Sequence, residues 1–386
     1  MNHINLSKLP PLSLYVHIPW CIRKCPYCDF NSHELKQGSL PIDRYIDALS
    51  LDLQMALPQI WGRSIQTIFI GGGTPSLFSG DAIDRLLSTI RSHTQLSPYA
   101  EITLEANPGA LERKYLRDYK ASGVNRISLG VQSFNDRHLQ TLGRIHGAND
   151  ARDAISELKQ YFDNFNLDLI YGIPNQTLDE VQQELECAIS FAPTHISYYN
   201  LTIEPNTYFH KHVPENLPDN DLCYLMGEEI KAVLANHGYA RYETSAYARS
   251  GYQSRHNRNY WQFGDYLGIG AGAHSKLSFA NKIIRTVCEK QPQSYMDKVQ
   301  TGNHLIESRE VLPQELPFEF ALNAFRLIDG FSLSLFNQTC GLPVSQILPK
   351  LLKAHDLGFI QMHQDQVIPT IKGQDFLNDL LTNFLD

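Results

Sequence analysis

Cysteine is scarce in this 386-residue chain, and what it lacks is as informative as what it has. Four of the seven cysteines, Cys187, Cys223, Cys288 and Cys340, are scattered without a disulfide framework, which points to reduced thiols and a cytoplasmic setting. No run approaches the ~20 apolar residues that span a bilayer. Met1–Pro11 lacks a basic region leading into an apolar stretch, so no secretory signal is expected. Positive charge is also short: 33 Lys and Arg against 41 Asp and Glu give a formal net charge of −8, which argues against a broad nucleic-acid interface. There is no low-complexity segment, and no repeat beyond a recurring strand–helix unit. The 42% hydrophobic content leaves ample core for one large domain or two.

The other three cysteines stand together as Cys21-Ile-Arg-Lys-Cys25-Pro-Tyr-Cys28, directly after the apolar run Leu12–Ile18. Three thiols on one short loop can each hold one iron of a [4Fe–4S] cube, leaving the fourth iron open to a ligand. An open metal position is where a cofactor reacts. With S-adenosylmethionine (SAM) chelated there, an electron from the cluster cleaves the sulfonium and yields a 5′-deoxyadenosyl radical. Zinc is the plainer reading, but it asks for a fourth protein ligand, and no second CxxC or HxxxH pair follows; His33 is the only nearby candidate.

Along the chain, short apolar strands alternate with amphipathic helices. Strands are expected at Leu12–Ile18, Ile65–Ile70, Glu101–Ala106, Arg126–Gly130, Asn166–Ile170 and His195–Asn200, and helices at Asp43–Leu57, Asp81–Thr94, Leu111–Ser122, Asn149–Tyr161, Leu178–Phe191 and Asp219–His237. Six βα units imply a parallel sheet with helices outside, too few for a closed eight-stranded barrel. The α/β fold class is therefore an open, partial (β/α)6 barrel. The distinctive polar residues fall at the carboxyl ends of the strands, where such sheets place function. After the three cysteines come Gly71-Gly72-Gly73-Thr74-Pro75, Glu105-Ala-Asn-Pro, Gln132-Ser and Asp168. Beyond about Arg241 the alternation stops in tyrosine-rich and glycine-rich stretches. From about Pro292 the pattern turns helical, with a hairpin at Phe359–Met362 and Gln366–Pro369 and a last helix at Gly373–Leu385, a winged-helix-like tail with few basic residues.

Taken together, Tyr15-Val-His-Ile-Pro-Trp-Cys21, Gly71-Gly-Gly-Thr-Pro75, Glu105-Ala-Asn-Pro108, Gly130-Val-Gln-Ser133, Leu142-Gly-Arg-Ile-His146 and Asp168-Leu-Ile-Tyr-Gly-Ile-Pro174 resemble the radical SAM family of anaerobic coproporphyrinogen III dehydrogenase. The likeness implies a radical SAM barrel domain over 1–275 and that family's C-terminal domain over 290–386. Within the family the chain is most similar to the HemW branch of haem chaperones. The dehydrogenases carry a further cysteine two positions after the third, where this chain has Asp29-Phe30. Only fourteen residues precede Tyr15, where they carry a longer arm. The HNxxYW motif of the branch appears as His256-Asn257-Arg258-Asn259-Tyr260-Trp261.

By this resemblance Cys21, Cys25 and Cys28 hold the cluster, and Tyr15 borders the SAM. Gly72, Gly73 and Thr74 approach its methionyl group, and Glu105 accepts hydrogen bonds from its ribose. Tyr27, Gln132, Arg144 and Asp168 match positions that meet a second SAM in the dehydrogenase; a buried Arg144–Asp168 pair is the structural alternative. His256 is the expected haem ligand, with Tyr260 and Trp261 beside it and Arg255 and Arg258 near enough in sequence to pair with propionates. His17 and His274 are rival ligands. The implied function is a haem chaperone that passes haem to recipient haemoproteins, using a [4Fe–4S] cluster, SAM and an electron donor. The alternative is radical decarboxylation of coproporphyrinogen III propionates within porphyrin metabolism. No nucleic-acid partner is expected, and the sequence leaves membrane-surface association and a homodimer open.

Overall fold

The computed structural model describes residues 3–35, 40–109 and 114–385. Six parallel strands run through its first half: β1 (Leu12–Ile18), β2 (Ser64–Gly72), β3 (Gln95–Ala106), β4 (Arg126–Gln132), β5 (Phe165–Tyr171) and β6 (His195–Asn200). Around them lie α1 (Ile42–Ala56), α2 (Gly80–His93), α3 (Leu116–Ala121), α4 (Asp136–Thr141), α5 (Ala148–Leu158), α6 (Leu178–Ser190), α7 (Tyr208–Lys211) and α8 (Asn220–Asn236). Residues 111–113 of the helix expected at Leu111–Ser122 lie outside the described residues.

The reason these segments become strands is visible in their burial. Leu14, Val16, Ile18, Ile68, Ile70, Leu104, Ile127, Leu167 and Leu169 are all but inaccessible, as parallel strands covered by helices require. Helix starts are capped by the polar residues that precede them. Thr177 accepts from the Glu180 amide while the Glu180 carboxylate accepts from the Thr177 amide, and Ser79 and Asp219 cap α2 and α8.

The sheet continues well beyond six strands. After β7 (Ala240–Glu243), β8 (Ala246–Ala248) and α9 (Arg255–Trp261) come β9 (Asp265–Ile269), β10 (His274–Phe279), β11 (Lys282–Cys288), α10 (Pro292–Val299) and β12 (Leu305–Glu310). The order is β12-β11-β10-β9-β1-β2-β3-β4-β5-β6-β8-β7, with β9 parallel to β1 and Leu12 opposite Asp265. The glycine-rich stretch is thus a seventh parallel strand and a turn, and the boundary expected at 275 falls inside β10. Buried Asp265 ties this edge together: it accepts from Lys276 at 3.1 Å and the Ser278 amide at 2.9 Å, and pairs with Arg63 at 2.8 Å. Buried charges persist only when so satisfied.

The tail is winged-helix-like. It comprises α11 (Leu316–Ala324), β13 (Phe331–Ser332), α12 (Leu333–Cys340), α13 (Leu348–Asp356), β14 (Ile360–His363), β15 (Gln366–Pro369), α14 (Ile371–Asp375) and α15 (Leu377–Thr382), with strand order β13-β15-β14. The single last helix expected from the sequence breaks at Phe376. Phe320, Phe325, Phe331, Phe336 and Phe384 fill its core, and Ile4 and Leu6 from the start of the chain complete it. No described helix is long and apolar enough to cross a membrane.

Candidate functional site

The carboxyl ends of β2 to β6 and the cysteine loop enclose a cavity of about 390 Å³. Its lining holds Cys21, Cys25, Cys28, Tyr27, Gly72, Gly73, Thr74, Glu105, Gln132, Arg144 and Asp168. All the expected cluster and SAM residues meet there except Tyr15. Along β1 the pleat turns Tyr15 and His17 toward the barrel interior: the Tyr15 ring stacks on Phe69, and its hydroxyl lies 2.9 Å from His17 Nδ1. Tyr15, half-buried, is not among the residues that line the cavity.

Two backbone clips bring the cysteine loop and the glycine loop together. The amides of Gly73 and Thr74 donate to the carbonyls of Ile18 and Trp20, each at 2.7 Å. A Cβ at position 73 would lie 2.5 Å from Trp20 O, so only glycine permits this approach. The three thiols are partly exposed and carry no disulfide. Three thiols on one loop suit a cube that takes one iron at each. Burial pushes the Cys21 thiol up to about 11, with the Thr74 side chain opposing, and also raises Cys28. Arg144 Nη1 donates to Cys25 Sγ at 3.4 Å, a cation placed against a ligand that must be a thiolate.

Arg144 does not pair with Asp168. Its guanidinium holds the Gly130 carbonyl at 3.0 Å and Asn107 Oδ1, while Asp168 accepts from Ser128 Oγ and Asn166 Nδ2, both at 2.8 Å. The two half-buried groups are separate struts. Asn107 went unnoticed in the sequence although it sits in the Glu105-Ala-Asn-Pro motif; its Nδ2 donates to Thr74 Oγ1 at 3.0 Å and links Arg144 to the glycine loop. Gln132 ends β4 with φ 68°, a left-handed conformation uncommon for a non-glycine residue, just where the β4–β5 register slips.

Glu105 accepts from the Gly72 amide at 3.0 Å. Burial, reinforced by the charge of Asp168, raises its carboxyl to about 8, and burial raises Asp168 as well. Two carboxyls with unfavourable ionisation make a floor that a cationic, hydroxyl-bearing ligand would relieve.

The fold does not offer His256 to a haem. It is 1% exposed in α9 beneath that floor, with Nδ1 2.7 Å from Thr67 Oγ1 and its ring 5.1 Å from Phe69 and 5.0 Å from Tyr260. Both its own amide and that of Arg255 are held by the Glu101 carboxylate. Burial pushes the imidazole down to about 3, so it stays neutral. Trp261, expected to cover a porphyrin, instead meets the Arg326 guanidinium at 4.4 Å. The rival His17 is also buried, its Nε2 2.9 Å from Asn31 O; His274 is exposed on β10.

The pattern of the radical SAM superfamily matches residues 15–188, and that of the HemN C-terminal domain matches 311–376. The protein of Escherichia coli (strain K12) named "Heme chaperone HemW" is 47% identical over 382 residues, covering 98% of this chain and all of the relative. The chain belongs to the HemW family of radical SAM proteins. A HemW from Bacillus subtilis (strain 168) is 33% identical over 380 residues, covering 97% of this chain and 99% of its own. The solved coproporphyrinogen III oxidase HemN of E. coli superposes with a TM-score of 0.82 at 24% identity over 97% of this chain and 90% of that one, which shows the shared fold. Membership in the superfamily implies a [4Fe–4S] cluster and SAM, and the cavity residues fit both. When bound, the pair supplies a reducible sulfonium and, from it, an adenosyl radical. The residues that would hold them are the three thiols for the iron, with Gly72–Thr74 and Glu105 beside them on the same cavity wall for the SAM.

Proposed function

We propose that this protein is a haem chaperone: it binds haem and hands it to recipient haemoproteins in the cytoplasm, with the cluster, SAM and an electron donor in a supporting role. The observation that carries the reading is the likeness to E. coli HemW at 47% identity over the whole of both chains. A second reading, propionate decarboxylation, draws on the fold shared with HemN. The cysteine loop speaks against it, because Asp29-Phe30 follows Cys28 and Phe30 presents no thiol at the cavity mouth.

A paired anaerobic assay separates the two. With full cluster, SAM and reductant, the protein should bind haem by absorbance and form no tricarboxylic porphyrin from coproporphyrinogen III. Turnover at about 1 s⁻¹ or faster, the ordinary range of enzymes, would replace the carrier by the dehydrogenase. Phe30→Cys alone should still form no tricarboxylic porphyrin.

A further inference from the structure

Away from the cavity, three side chains with metal-binding atoms converge inside the core. Asp52 on α1, Cys288 at the end of β11 and His304 just before β12 are 4, 2 and 5% exposed, and their ligating atoms all lie within 4.8 Å of one another. His304 Nε2 is 2.9 Å from Asp52 Oδ1, and Cys288 Sγ is 3.9 Å from Asp52 Oδ2. The backbone brings them together. Glu289 N donates to His304 O at 2.7 Å, and the β11–β12 register slips between Val287 and Cys288, which then faces Leu305. Such an irregularity re-aims a side chain.

The cavity chemistry does not use this cluster, and its charge is unbalanced. Asp52 is a buried carboxylate with no Lys or Arg paired to it among the described residues; its ion-pair partner is His304. Tyr295 Oη and the Gly270 amide donate to its Oδ2, at 2.6 and 3.1 Å. Beside it, burial and then the Asp52 charge hold the Cys288 thiol well above its ordinary range. His304 Nδ1 is buried without a hydrogen-bond partner, so the ring is engaged only on the side that faces Asp52. Buried charge is costly unless it is compensated. A divalent cation compensates a carboxylate and a thiolate at once.

Spacing and donor type narrow the choice of cation. Tetrahedral ligands about 2.0–2.3 Å from zinc stand roughly 3.3–3.7 Å apart, and the separations of 2.9 and 3.9 Å bracket that range. Magnesium and calcium take oxygen shells, whereas thiolate together with imidazole suits zinc. We propose that Asp52, Cys288 and His304 hold a structural zinc ion, with the Tyr295 hydroxyl the nearest donor for a fourth position. On binding, the Cys288 proton is released to solvent and His304 ligates through Nε2 with its own proton on Nδ1. The ion pins β11 and the segment before β12 to α1. It also backs the cysteine loop: Gly270, whose amide meets Asp52, precedes Ala271, whose carbonyl accepts from Asn31 Nδ2 at 2.9 Å.

The test uses the full-length, cluster-loaded protein, incubated anaerobically with zinc chloride and then desalted. Zinc and iron are counted by elemental analysis, and the zinc shell is read by X-ray absorption. Wild type should keep about one zinc per chain beside its full iron, with one sulfur in the shell. Cys288→Ser and His304→Gln should each lower the zinc at least about tenfold, and their unchanged iron and cluster absorbance would show that they are folded. Cys187→Ser should keep both metals. A zinc chelator that leaves the iron in place should lower the unfolding temperature of wild type but not of Cys288→Ser. Wild type without zinc, its iron complete, would leave a hydrogen-bonded network only and overturn the site. Zinc retained in Cys288→Ser, or a shell without sulfur, would put the ion elsewhere and overturn it equally. None of these outcomes bears on the haem-carrier reading.

Discussion

Cys→Ala at any one of positions 21, 25 and 28 should strip the protein of most of its iron and visible absorbance. Cys→Ser at 187, 223, 288 or 340 should change neither. The expectation follows from the absence of a spare ligand. Only the first three thiols line the cavity, and each has its own place on the loop. Cys288 is buried 3.9 Å from Asp52 in a network with Tyr295 and His304, and Cys340 is sealed in the phenylalanine core of the tail. Neither can swing to the cavity without unpacking its surroundings. Iron analysis and the visible spectrum of reconstituted variants decide the matter, and a Cys187→Ser protein without cluster would sink the assignment.

Glu105→Gln should weaken SAM binding by about ten- to a hundredfold while the cluster stays intact, because a charge-assisted hydrogen bond contributes about 1.5–3 kcal/mol. The amide keeps the shape and the Gly72 contact, so a scaffold role would leave affinity unchanged. The pH profile gives an independent reading. With its carboxyl raised to about 8, chiefly by burial and then by Asp168, ligand-free Glu105 holds its proton at neutral pH. The form that best accepts ribose hydroxyls beside a sulfonium is the carboxylate, so binding expels a proton. SAM affinity should therefore rise with pH toward about 8 and level off above it, and the rise should vanish in the Gln variant. Stability runs the other way. The unfolded chain ionises near the ordinary carboxyl value while the folded one does not, so this group's contribution is full below about 4.5 and is lost as pH climbs to about 8. Equilibrium binding and unfolding across that window read both.

Much of this was legible in the sequence, for physical reasons. Strands covered by helices are rich in apolar and β-prone residues, and β1 and β6 carry the very bounds expected of them. The motif residues fall at strand ends, and parallel strands end on one rim, so Cys21 and Asp168 had to meet. What was hidden depended on contacts distant in sequence. β9 reads as a glycine-rich loop because its partner β1 lies some 250 residues earlier. β12, Leu305–Glu310, is an edge strand with mostly exposed, charged side chains and no apolar signature. Tyr15 was expected to border the SAM by resemblance alone, and motif order says nothing of which way a pleat turns. His256 was expected to ligate haem on the strength of the HNxxYW motif, and a motif says nothing of burial. Its burial depends on Glu101 and Thr67, which meet the helix start from inside the barrel.

The strap formed by Ile4 and Leu6 has a consequence for how the molecule is made. Asn5 N donates to Gly341 O at 2.9 Å and Leu6 N to Ala280 O at 2.8 Å, and both flanking side chains are sunk in the core built by residues 311–384. Asn5 leaves the ribosome long before Gly341, its partner. While the barrel assembles in chain order, as domains generally do during synthesis, the Ile4–Leu6 segment must wait unpaired for the tail, then close over it as a final clasp. A chain that stalls or is cut before Phe336 thus leaves Ile4 and Leu6 without the core they pack in.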